Sequence, residues 1–295
     1  MKKIAISALL IGLMGFARAD VSVYGMARVY QESSTIGTAA SITSLTNDSS
    51  RLGIKASDAV GNGLTAFAVV ETGVGMDAPA ASTLGDRTAV VGLSHKMGSI
   101  GFGRDKTALT KSLDGFDAMG GAVFGSSAAA IHSYQGTRLS NAVFLSAPLV
   151  KGLTGNYVMA NSEVAGTPNP QTFSLVYSTG PLGATYARFD NGTTSVSDAV
   201  GAKFEIAKTG TTVFGLYSDN RVVNVTSQGK SIGVTQTVTP TLSAMASYGE
   251  NGGLKAYNLG ANYSLGKSAK VLARYLKETA ATNTTRYGAG LEYSF

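Results

Sequence analysis

The 295-residue chain has no cysteine and no tryptophan, only six prolines and two histidines. Without cysteine there is no disulfide framework, no thiolate nucleophile and no Cys-based metal site. His95 and His132 are far apart and show neither His-x-x-x-His nor Glu-x-x-His spacing. No metal and no cofactor is therefore expected, and both histidines read as solvated loop or turn residues. Beyond its first residues the chain also lacks the roughly 18 consecutive apolar residues that a transmembrane helix requires. In a membrane such a chain can exist only as a closed β-barrel, because only helices and barrels satisfy every backbone hydrogen bond in lipid.

What stands at the start is Met1, Lys2, Lys3, an apolar stretch from Ile4 to Phe16, and the triplet Ala17, Arg18, Ala19. A basic start, a short apolar stretch and a small-x-small site make a secretory signal peptide over residues 1–19, with Asp20 as the first residue of the exported chain. Setting Lys2, Lys3 and Arg18 aside takes the formal net charge of +6 to about +3. That mild excess comes with no basic stripe and no binding motif, so nucleic acid is not an expected partner.

The abundant residues are glycine, at 37, and tyrosine, at 13, a composition of short extended pieces. The last ten residues show the underlying pattern. Tyr287, Ala289, Leu291, Tyr293 and Phe295 share one parity, and Arg286, Gly288, Gly290, Glu292 and Ser294 take the other. This period of two is that of a strand with one apolar and one polar face. It recurs where Val21 and Val23 oppose Ser22, Tyr24 and Arg28, and where Leu52 and Ile54 oppose Arg51 and Lys55. Counting each copy gives sixteen strands, near 21–31, 50–57, 64–73, 86–95, 98–104, 137–147, 152–161, 171–178, 181–190, 199–207, 211–220, 229–238, 240–249, 254–264, 268–278 and 285–295. The segments 86–95 and 211–220 do not alternate cleanly, so no facing is assigned there.

Tight turns such as Ser178–Gly180 and Leu265–Lys267 alternate with longer polar loops, the layout of an outer-membrane barrel. The apolar faces are lean in large side chains, and the polar faces carry Arg, Lys and Glu that would be costly in a sandwich core. The expected fold is all-β, a transmembrane antiparallel β-barrel of about sixteen strands over 20–295. The longest connection, 105–136, carries Asp114, Asp117, several glycines and the small-residue run Ser126–Ala130. A loop of that length is functional or disordered, and its alanines favour a compact helical turn.

In order and spacing, the segments Val21-Ser-Val-Tyr-Gly25, Ser50-Arg-Leu-Gly-Ile-Lys55, Gly61-Asn-Gly-Leu64, Val91-Gly-Leu-Ser94 and Gly101-Phe-Gly-Arg-Asp105 resemble the general porin family of Gram-negative outer membranes, in its betaproteobacterial branch. The closing Tyr293-Ser-Phe295 fits the same family. The resemblance implies a homotrimer of sixteen-stranded barrels in outer-membrane lipid, each with a long loop folded into the lumen. It also implies that wall arginines face that loop in anion-preferring members, and the matching positions here are Arg51, Arg87 and Arg138. Lys55 and Arg28 would join them, with Asp114 and Asp117 opposing from the loop. Passive diffusion of small hydrophilic solutes and ions follows, with a weak anion preference, because charges at the narrowest section filter what passes.

Three other readings compete. A barrel lipase or protease would need a nucleophile beside a base, and neither histidine sits by a nucleophile signature. A substrate-specific channel or an adhesin on the same barrel would want an aromatic track, a dense charge ladder or long outer loops. A secreted soluble β-protein would not partition with membranes. Tyr24, Tyr263, Tyr275, Tyr287 and Tyr293 are the candidates for aromatic girdles at the membrane interfaces.

Overall fold

The computed structural model describes residues 19–78, 83–120, 131–132 and 137–295. All but the last residue of the expected signal peptide lies outside these, as does the small-residue run Ser126–Ala130. The first wall elements are β1 (Asp20–Ile36), β2 (Ile42–Asn47), β3 (Arg51–Gly61), β4 (Leu64–Gly73), β5 (Thr88–His95) and β6 (Gly98–Lys106). After a short helix α1 (Ala108–Leu113) come β7 (Arg138–Val150), β8 (Leu153–Ala160), β9 (Gln171–Thr179), β10 (Leu182–Asp190) and β11 (Ser195–Ile206). The wall ends with β12 (Thr211–Val222), β13 (Val225–Thr237), β14 (Leu242–Asn251), β15 (Leu254–Ser264), β16 (Ala269–Thr279) and β17 (Thr284–Ser294).

Every neighbouring pair is antiparallel, and β1 closes the ring by pairing with β17, from Met26 opposite Ser294 to Ile36 opposite Thr284. Strands β2 and β3 are two halves of one crossing, both paired with β1 and separated by Asp48–Ser50. The barrel therefore has sixteen crossings, as the alternation predicts, and β2 is the piece that the alternation did not reveal. Ser49 takes a φ of 62° at the break, and the Ser50 hydroxyl accepts from the Arg28 amide at 2.8 Å. Three residues thus lie opposite two, the geometry of a bulge that re-aims the side chains beside it.

One end of the barrel has only tight connections. Asn62 and Gly63 join β3 to β4 with φ of 51° and 74°, the doubly positive turn that Asn-Gly favours and that matches strand twist. The other end holds the long connection between β6 and β7 and the segments 74–87 and 161–170. Not every connection there is long. Residues 223–224 alone join β12 to β13, where the sequence suggested a loop to about 228.

The outward parity is the apolar one. Val21, Ile54, Leu291 and Phe295 are 64%, 49%, 57% and 57% exposed, an apolar belt too extensive for a water-facing surface and suited to hydrocarbon. Among the described residues no helix is long and apolar enough to cross a membrane, so crossing falls to the strands. Tyr263, Tyr287 and Tyr293 are exposed on this outer face. Tyr24 is a correction to the girdle assignment, because its hydroxyl turns inward and donates to Glu71 Oε2 at 3.2 Å.

Inside, most apolar packing is where the β6–β7 connection meets the wall, with a separate small cluster of Tyr30 of β1 and Leu272 of β16. Leu109 and Leu113 of α1 are buried against Ala187, Phe189, Ala199 and Leu216 on the inward faces of β10, β11 and β12. Thr107 caps the helix by accepting from the Thr110 amide at 3.1 Å, and Thr172 of β9 accepts from the Leu109 amide at 3.2 Å. Further along, Ile131 packs on Ala256 and Leu276, while its carbonyl accepts from Asn251 Nδ2 at 2.7 Å.

The seam where β1 meets the end of β17 depends on a glycine. Gly25 and Phe295 exchange backbone hydrogen bonds of 2.9 and 3.1 Å, and a Cβ at Gly25 would stand 2.5 Å from the Phe295 ring and 2.9 Å from the Arg51 carbonyl. Gly25→Val is expected to destabilise the barrel by about 1–3 kcal/mol. A fall in the urea midpoint of the folded band on an unheated gel checks this, and an unchanged midpoint refutes it.

Candidate functional site

At the long-loop end of the lumen, β1, β3, β4, β6, the residue just before β5 and the first residue of β7 turn charged side chains towards one chamber of about 360 Å³. Arg28, Arg51, Arg87, Arg138 and Lys106 line it together with Glu71, Asp105 and Asp114. Five of the seven residues predicted from sequence, Arg28, Arg51, Arg87, Arg138 and Asp114, are brought together there. Lys55 faces inward lower on β3, opposite Val69 of β4. Asp117 is also apart, accepting from the Met119 amide at 3.0 Å beside Phe214 and Ser231.

Glu71, which sequence reasoning passed over, is the hub. Its Oε1 accepts from Arg87 Nε at 2.7 Å, and its Oε2 lies 3.6 Å from Arg51 Nε. A carboxylate held between two guanidinium groups fixes both, since charge-assisted bonds are the stronger class. The only sequence signal was a lone acidic residue on the inward parity of β4. Asp86 secures the Arg87 segment by accepting from the Gly73 amide at 2.9 Å and the Thr72 hydroxyl at 3.1 Å. Arg138 then donates from Nε to the Arg87 carbonyl at 2.8 Å. It forms no ion pair with any described carboxylate.

Arg28 is the most enclosed of these cations. Its Nη2 lies 2.6 Å from Glu292 Oε2 and its Nη1 3.4 Å from Asp48, and Glu292 also takes Lys270 at 3.0 Å. On the loop side, Lys106 pairs with Asp114 and Lys111 with Asp105, each at 2.5 Å. Lys203 of β11 donates to the Gly115 carbonyl at 3.2 Å and stands 5.4 Å from the centre of the Phe116 ring.

His132 departs from expectation. It is buried, not solvated, with Nδ1 and Nε2 each 2.8 Å from a wall hydroxyl, Ser218 of β12 and Ser231 of β13. Leu216 and Ser218, successive inward positions of β12, meet α1 and His132 respectively, so the described parts of the connection lie along one continuous arc of the inner wall from β9 to β16.

The sequence profile described as Gram-negative porin matches residues 5–284. The chain belongs to the Gram-negative porin family. No curated protein matches it by sequence. By fold, the porin is similar to the anion-selective porin from Comamonas acidovorans, at 17% identity over 94% of this chain and 100% of that one, with a TM-score of 0.80. It is similar also to in-vitro folded OmpT of Vibrio cholerae in its trimer form, at 16% identity over 94% and 99% with a TM-score of 0.68. Salmonella typhi OmpF in complex with daunomycin gives 17% identity, 93% and 97% coverage and a TM-score of 0.70. The porin is thus a multi-pass outer-membrane β-barrel, and its family is one of diffusion channels, not enzymes.

Burial lowers the His132 pKa from 6.5 to about 4, so the seated ring is neutral at physiological pH. A released ring titrates near its ordinary value. Both forms are neutral above about pH 6.5, and seating is fully favourable there. As pH falls from about 6.5 to about 4, only the released form takes up a proton, and seating weakens by about 1.4 kcal/mol per pH unit. Open-channel current noise is expected to rise across that window and not in His132→Gln; equal noise in both proteins refutes the contact's role.

Proposed function

We propose that this porin is a passive, water-filled channel for small hydrophilic solutes and ions with a weak preference for anions, in which the segment 105–136 narrows the lumen. The observation that carries the preference is the make-up of the chamber, where five cations meet three carboxylates and Arg138 has no described carboxylate partner. Low-dielectric walls focus such an excess into a field that concentrates anions. The fold neighbour named as anion-selective agrees with this reading. The contacts of α1, Ile131 and His132 along the inner wall support a segment seated inside the lumen.

The placements support the following roles. Arg51, Arg87 and Arg138 form the cationic wall, with Arg28 behind them and Lys55 below. Asp114 on the connection opposes them and gives a transverse field, while Asp117 stands outside it. A polar solute aligns its dipole in that field, whereas an apolar one must displace ordered water. A homotrimer is part of the same proposal, supported by the trimer form of the Vibrio neighbour. No catalytic step is assigned to any residue.

In a planar bilayer under a potassium chloride gradient, the reversal potential is expected to favour chloride. Arg51→Ser with Arg138→Ser should lower the chloride-to-potassium permeability ratio several-fold. Glu71→Gln should raise it by freeing the charge of Arg51 and Arg87. A ratio that neither change moves would falsify the placement of the filter.

A further inference from the structure

Directly below the cationic chamber the lumen wall changes character. Phe67 and Val69 of β4, Val90 of β5, Phe144 of β7 and Val158 of β8 meet Ala108 of α1 around a second cavity of about 340 Å³. All five wall residues lie on inward parities, where a water-filled barrel carries polar side chains. The two cavities share Thr88 and Asp105, whose side chains are joined by a 3.0 Å hydrogen bond from the Thr88 hydroxyl. On β4 the chamber residue Glu71 and the niche residues Val69 and Phe67 are successive inward positions, about 7 Å apart. Two lysines border the niche. Lys111 Nζ stands 5.7 Å from the centre of the Phe144 ring, and Lys55 lies opposite Val69 across β3 and β4.

We propose that this niche is a binding subsite for amphiphilic carboxylates, above all aromatic acids, inside the channel. The ring or short alkyl body lies against Phe67, Val69, Val90 and Phe144, and the carboxylate points past Thr88, whose hydroxyl is given to Asp105, towards the arginines of the chamber. Lys111 closes the niche over the aromatic face, where a cation is favourable. A small inorganic anion gains only from the field, whereas an aromatic acid also removes apolar surface from water. The proposal rests on the anion-preferring reading of the chamber and adds to it a solute class. Phe67 and Phe144 make the niche chemically different from a purely polar constriction, because they reward an apolar body that the transverse field alone would reject.

Benzoate and acetate provide the test, since they share a carboxylate and differ in the ring. Added to single channels in potassium chloride, benzoate is expected to block chloride current saturably, with a half-blocking concentration about tenfold below that of acetate. In Val69→Thr with Val158→Thr, which keep side-chain shape and add hydroxyls, that ratio should fall towards one. Lys111→Met should weaken benzoate block while leaving the alkyl cover over Phe144. A benzoate-to-acetate difference that survives the threonine pair overturns the niche. A chloride-favouring reversal potential with equal block by the two acids overturns the niche and keeps the anion-preferring channel. A cation-favouring potential without block by either acid overturns both.

Discussion

Backbone polar groups cannot be left unpaired in hydrocarbon, where each costs several kcal/mol, and this requirement organises the molecule. It is met by joining β1 to β17 so that no edge strand remains. Once the ring is closed, side-chain parity is no longer a matter of choice. One parity faces lipid and must be apolar, and the other faces the lumen and is free to carry charge. The seam illustrates how tightly the rule acts. Gly25 has no side chain because the Phe295 ring and the Arg51 carbonyl occupy its outward space, and that close approach lets the last residue bond to the first strand.

The lumen repeats the problem in electrostatic form. Charges in a narrow, partly desolvated space are costly unless paired, so Glu71, Asp48 and Glu292 each take cationic partners. Complete pairing would leave a neutral pore. The chamber stops short of that, with Arg138 held by a carbonyl oxygen instead of a carboxylate. A carbonyl fixes the guanidinium in place without cancelling its charge. The same device positions Arg104, which donates to the Asp86 carbonyl at 2.8 Å.

How much of this was legible in the sequence depends on whether a residue answers to lipid or to its lumen neighbours. Outward positions answer to hydrocarbon alone, so alternation located all sixteen crossings and the correct face of Leu52, Ile54 and the final strand. Alternation failed at 86–95 and 211–220 for a structural reason. Val90 faces the apolar niche and Leu216 receives α1, so large apolar residues stand on both parities of β5 and β12 and blur the alternation. The second half-strand β2 was invisible because its break at Asp48–Ser50 resets the parity. Arg51, Arg87 and Arg138 were legible through resemblance and Arg28 through its facing, whereas the partners that orient them were not. Glu71 and Tyr24 acquire their roles from strands brought together by the register of the barrel, and one chain segment read alone carries no trace of that.

His132 makes the same point from the side of the connection. As a lone histidine in a polar loop it has no local signal for burial, yet two serines on neighbouring strands meet its two ring nitrogens. Neutral imidazole offers one donor and one acceptor, and a serine hydroxyl can serve as either, so the pair satisfies the ring without a charge. That neutrality is physically consistent with the rest of the inner wall. A charged anchor at this position would have added its own field to that of the arginines on the opposite arc. An uncharged one seats the connection and leaves the arginines and their carboxylates to set the field across the lumen.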